Sequence, residues 1–315
     1  MWARSWQMRQ SGGSRIYTWN KSRTKKARPG KGLLAVVAQL SNAVVRAVLV
    51  IVVICTPSLL LPAASPDSAQ VVVLVALFAG LFTFSEYASR YPGLIEFRDA
   101  PPFNRVRAIG IFATLFLLSL AAGAPDGPQT LSLIVNATGL VLAHALDFSY
   151  SPIWLLQVFL PETASNGDLT LLRAMGGLSF LIGLVTIVIF AILMRLKGWP
   201  NRNSSFNVWV NLPTFDPTAG GDVVARLTRD ARVNLILGFT LPFLMPVLAS
   251  YGIENLDVSI ASSSQLMVWM VSLWSFLPVS LLMRGMAMGR IAHMITERRK
   301  QIVRDLVEQG ALASA

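Results

Sequence analysis

Long apolar runs that do not alternate with polar residues dominate the chain, as in Val71–Phe82 and Leu178–Leu193. Unpaired backbone groups are not tolerated in hydrocarbon, so runs of this kind are read as helices. A transmembrane barrel would need short alternating segments instead. The pattern predicts spans over Ala43–Leu61, Ala69–Tyr87, Ala108–Gly123, Leu171–Met194, Val233–Tyr251 and Gln265–Met283. Leu131–Leu146 is apolar but short, and Ile153–Leu160 falls far below the roughly 20 residues that a spanning helix needs. Beyond Met283 the period becomes that of an amphipathic helix over 286–310, with Ile291, Met294, Ile295, Ile302, Leu306 and Val307 on one stripe. The expected fold class is therefore all-α: a polytopic integral membrane protein of about six transmembrane helices plus a re-entrant or partly buried segment at 130–161. Three regions follow: a basic disordered tail over 1–32, a helical membrane domain over 33–283, and a cytoplasmic amphipathic helix over 284–315.

Charge decides how the spans are threaded. Of 27 Lys and Arg, nine lie in 1–32, four in 85–107, six in 195–232 and six in 284–315, whereas 62–69, 124–169 and 252–264 hold none. Basic loops are retained on the cytoplasmic side of an inner membrane. The expected location is the cell inner (plasma) membrane, with N- and C-termini both cytoplasmic. A complete crossing by Leu131–Leu146 would place the basic 195–232 loop outside, so residues 125–169 are expected to begin and end on the outer face, with that segment dipping in and returning.

Composition removes several alternatives. The chain is 54% hydrophobic and 14% charged, where a soluble domain carries roughly a quarter charged residues. The net charge of +11 is spread over four loop and terminal segments, which points to topology and to anionic lipid headgroups at the basic termini rather than to nucleic acid. A single cysteine, Cys55, excludes an internal disulfide framework and a cysteine metal cluster. No P-loop, H-E-x-x-H, G-x-S-x-G or G-x-G-x-x-G pattern is present. No cofactor and no metal are expected, since His144 and His293 lie on segments that should not face each other across a haem.

The candidate polar site is one face of the dipping segment. Ser132, Asn136, Gly139, Ala143, His144 and Asp147 fall near one another at helical spacing. His144 and Asp147, three apart, can approach, and a carboxylate beside an imidazole supports proton transfer. The alternative use of the same stripe is close helix contact, with small residues admitting a neighbour and polar atoms bonding across. Gly285 and Gly289 form a second small-residue pattern for helix contact. Asp222 reads as the start of a helix carrying Arg226, Arg229 and Arg232. Glu86, Glu96 and Asp99 lie among arginines and read as an ion-pair network.

The function expected is that of a non-catalytic accessory, assembly or scaffold subunit of a membrane complex, with the bilayer and a protein partner or second copy as its contacts. One alternative is a small-solute or ion transporter or channel using Asn136, His144 and Asp147. Another is a membrane enzyme acting on lipid.

Overall fold

A computed structural model describes residues 7–11, 14–18, 29–61, 66–89, 91, 93–123, 130–161, 163–196, 198–200, 208–216, 218, 220–256 and 263–308. Met1–Asn42 and Ala43–Ala315 form separate compact units. In the first, β1 (Gln7–Ser11) pairs antiparallel with β2 (Ser14–Thr18), Met8 opposite Tyr17. This hairpin lies inside the stretch read above as a disordered tail. A two-stranded hairpin is marginal by itself in water, so its sequence carries little signal.

The second unit is helical. Its elements are α1 (Pro29–Leu60, which begins in the first unit), α2 (Pro66–Ala88), α3 (Phe103–Ala122), α4 (Thr130–Ala145), α5 (Pro152–Leu155), α6 (Asn166–Leu196), α7 (Val208–Asn211), α8 (Val223–Leu256) and α9 (Ser264–Glu308). Six of these, α1, α2, α3, α6, α8 and α9, are long and apolar enough to cross a membrane. The chain is thus a polytopic all-α membrane protein.

The spans run antiparallel in sequence. Arg46 lies over the Tyr87 ring, while further along α1 Ile51 fills the space against Gly80. Phe103 at the start of α3 meets Phe190 near the end of α6, their ring centroids 5.4 Å apart. Gly110 faces Thr186 midway along the same pair. On α8 and α9, Ala231 meets Gly285, Gly238 meets Leu282, and Trp274 Nε1 donates to the Pro242 carbonyl at 2.9 Å. Leu61, Leu118, Ala121, Ala122, Leu172 and Met267 share one apolar cluster at the far end. Phe97, Phe103, Phe190, Trp199, Leu227 and Met288 share another at the near end.

These two clusters fix two faces. Phe97, Ala100, Trp199, Leu212 and Phe215 of the connecting loops lie at the near one, together with Arg98, Arg195, Arg226, Arg284 and Arg290; we call it the basic face. The end of α1, the end of α3 and the starts of α6 and α9 lie at the other, where Gln265 Nε2 donates to Ser58 Oγ at 2.7 Å. α3 ends and α6 begins on the same face, and α4 between them is too short to stand among the six spans. That segment is the re-entrant piece expected from the charge pattern.

The basic-face loops are built rather than loose. The Glu86 carboxylate accepts from the backbone N–H groups of Gly93, Leu94 and Ile95, turning the chain back at the end of α2. Phe97, fully buried with φ of 53°, is held in this unfavourable conformation by an N–H donation to the Asn211 carbonyl at 2.7 Å and by Phe103 and Trp199 against its ring. Trp199 Nε1 in turn donates to the Ala100 carbonyl at 2.8 Å.

Candidate functional site: the re-entrant segment and the basic-face tie

The re-entrant segment starts where α4 is pinned to α3. Ser132 Oγ donates to the Leu120 carbonyl and Asn136 Nδ2 to the Ala121 carbonyl, each at 3.1 Å. These are the last-turn carbonyls of α3, which have no partner within their own helix. At 16 residues, α4 is about 24 Å long, short of the ~30 Å hydrocarbon core.

It then crosses α6 at very close range. A Cβ added to Gly139 would overlap the Ala174 carbonyl, and one added to Gly177 would overlap the Gly139 carbonyl and stand 2.6 Å from the Ala143 nitrogen. Only small residues permit backbones to meet so closely. Past α4, the Ser151 hydroxyl accepts from Trp154 N–H at 3.0 Å to open α5. Leu156 then packs against Gly176, and the 3₁₀ turn Leu156–Phe159 brings the chain back toward α6. Ser165 and Asp168 close the return with a reciprocal cap: Asp168 N–H donates to Ser165 Oγ, and Ser165 N–H and Oγ–H donate to Asp168 Oδ2.

Two of the expected polar residues bond to neighbouring helices. Asn136 holds α4 to α3. Asp147 pairs with Arg173 of α6 at 3.5 Å, and Asp168 is occupied by the cap. His144 is exposed in the last turn of α4, and its ring does not have the Asp147 carboxylate within ion-pair distance. Asn136 also lines an open groove of 570 Å³ between α3, α4 and α6, with Leu140, Thr170, Leu171 and Ala174. Among the described residues no group of three or more His, Cys, Asp or Glu is placed to hold a metal ion.

The strongest polar constellation lies at the basic face. Arg284 of α9 donates from Nε and Nη2 to the two Glu96 oxygens at 2.6 and 2.8 Å, and from Nη1 to Asn234 Oδ1 of α8 at 3.0 Å. Thr214 Oγ1 donates to the same Glu96 carboxylate at 2.8 Å. The Glu96 and Arg284 side chains are 10% and 31% exposed. Bidentate pairing in this geometry fixes direction as well as distance. It locks the 89–102 loop to α8, α9 and the 212–216 turn. Arg98 pairs with Asp99 at 3.4 Å and donates to the Glu86 and Ser89 carbonyls. The ion-pair network expected around Glu96 and Asp99 is present, while Glu86 serves as a backbone cap. Arg284 and Asn234 were not singled out by the sequence as its members.

Of the small-residue pair on α9, Gly285 admits Ala231 and Leu235 of α8, where a Cβ would stand 2.9 Å from the Ala231 carbonyl; Gly289 has only an ordinary contact, with Ala231 Cβ at 3.8 Å. Asp222 opens α8 by accepting from Ala225 N–H at 3.3 Å and binds Arg299 of α9 at 2.7 Å. The hydrogen bond from Arg299 holds the Asp222 carboxyl below its usual range.

Comparison with known protein families, curated proteins and solved structures finds no match.

Proposed function

We propose that the chain is a non-catalytic subunit of an inner-membrane complex, an accessory or scaffold protein with both ends of its membrane domain on the cytoplasmic side. The orientation rests on the basic face: exposed Arg105, Arg195, Arg229 and Arg232 gather there, and cationic loops are retained in the cytoplasm. The observation that carries the role is how the intramembrane polar groups are used. Ser132, Asn136, Asp147 and Arg173 all bond between helices, the use expected of a rigid frame.

The frame also offers an exposed handle. The 45 residues of α9 make a rod of about 67 Å, more than twice the hydrocarbon thickness. Its far end presents Ile302, Val303, Leu306 and Val307, all exposed, beside Arg298, Arg299 and Arg304. An acidic amphipathic segment of a protein partner matches that surface. Purification in mild detergent tests the reading. The expected result is a particle heavier than the 34.3 kDa chain with a second polypeptide at fixed stoichiometry, released when 297–315 is deleted. A lone particle that moves solute across vesicle membranes would overturn it.

The alternative, a solute or ion transporter, is supported by the groove beside the re-entrant α4, since irregular backbone at membrane depth commonly lines a cavity. It requires that Asn136→Ala, His144→Ala and Asp147→Ala together abolish flux in vesicles while the protein remains folded.

A further inference from the structure

Two consecutive turns of α8 lack a rung of their hydrogen-bond ladder. A proline has no N–H to donate four residues back, so Pro242 leaves the Gly238 carbonyl, and Pro246 the Pro242 carbonyl, without the helix's own donor. Hydrocarbon offers no water in its place, and a neighbouring helix has to supply the partner. Trp274 of α9 does so for the second carbonyl: its Nε1–H donates to Pro242 O at 2.9 Å. Trp274 is 1% exposed, and a buried indole N–H needs a partner as much as the carbonyl does. One bond thus satisfies two groups that would otherwise be stranded. Trp274 itself stands four residues before Pro278, so α9 has lost a rung beside the break in α8.

Past Pro246 the C-terminal arm of α8, Val247–Leu256, continues as helix. α8 lies against α5 and the 3₁₀ turn Leu156–Phe159. Met245 and Ala249, flanking Pro246, pack on the cluster that holds Ile153, Leu156, Phe159 and Trp274. Val247, Leu248 and Tyr251, also on the arm, are exposed. The arm therefore covers the return limb of the re-entrant segment with one face only. When such an arm swings, a few residues at the helix break absorb the rotation.

We propose that Pro242–Pro246 is a hinge in α8 latched by Trp274, which holds the C-terminal arm closed over the return limb of the re-entrant segment. The latch is independent of the scaffold role and gives the frame one movable part.

Amide hydrogen exchange of the full-length protein in detergent, read by mass spectrometry, tests it. W274F keeps an aromatic ring and removes the N–H. It should speed exchange in 247–256 and 152–159 on the order of ten-fold and leave 223–238 of the same helix unchanged. P246A returns the missing N–H to α8, so the Pro242 carbonyl no longer needs the indole. P246A/W274F should therefore exchange like P246A alone, within about two-fold. Unchanged exchange in W274F would overturn the latch. A W274F effect of equal size with and without P246A would overturn it too, since the indole would then act through packing alone. Loosening spread evenly along α8 would overturn the hinge. Should W274F fail to fold, P246A/W274F should still fold; failure of both would overturn the proposal.

Discussion

A methyl group at Gly139 would have nowhere to go, because the Ala174 carbonyl of α6 already occupies its place. Gly139→Leu should therefore push α4 from α6 and destabilise the protein by about 1–3 kcal/mol or more, seen as a lower thermal midpoint in detergent. Gly289→Ala, whose new Cβ has room, should leave the midpoint within about 0.5 kcal/mol equivalent. Both glycines stood out in the sequence as parts of small-residue patterns; which one is indispensable depends on helix separation, which spacing along one chain does not encode. Asp222 offers a pH test. Its carboxyl is depressed by the hydrogen bond from Arg299, so the contact is present above the ordinary carboxylate pKa of about 3.9 and is lost as pH falls through the depressed value. Carbon NMR should place the Asp222 midpoint below that of a free aspartate. In Arg299→Gln it should move back up; an unmoved midpoint would show that Arg299 is not the cause.

Among the elements, the spans were legible because each is an apolar run long enough to cross, and the dipping segment was legible because it is not. The boundaries were less so. The third span begins at Phe103 rather than Ala108, because Arg105 and Arg107 break the apolar run without breaking the helix. The last span and the amphipathic tail, read as two pieces meeting near Met283, are one helix. Arg284 and Gly285, which end the apolar run, are where α9 binds Glu96 and packs on α8. That tie joins residues 188 positions apart, a separation that no local pattern reports. Glu96→Gln leaves the Arg284 cation without its carboxylate and should cost about 1.5–3 kcal/mol. The E96Q/R284Q double variant should cost less than the sum of the singles, measured as a double-mutant cycle by chemical unfolding. Strict additivity would mean that the pair does not couple the loop to α9.

At the scale of the whole molecule, six crossings and one re-entrant piece return the chain to the face from which Ala43 starts. The charge pattern predicts six crossings for the same reason that it sets the expected orientation: a basic loop resists translocation however far along the chain it lies. The candidate site was legible only in its membership. Asn136 and Asp147 both make contacts beyond their own segment, and their partners Ala121 and Arg173 come from neighbouring helices. The most direct measurement is cysteine accessibility in a Cys55→Ser background, using the exposed positions Leu94, Thr163 and Thr218. Leu94→Cys and Thr218→Cys should react with an impermeant thiol reagent from the same side of the membrane, and Thr163→Cys from the other. Reaction of Leu94→Cys and Thr218→Cys from opposite sides would mean that α4 crosses completely, and would contradict the fold described for 130–161 and the face on which the functional reading depends.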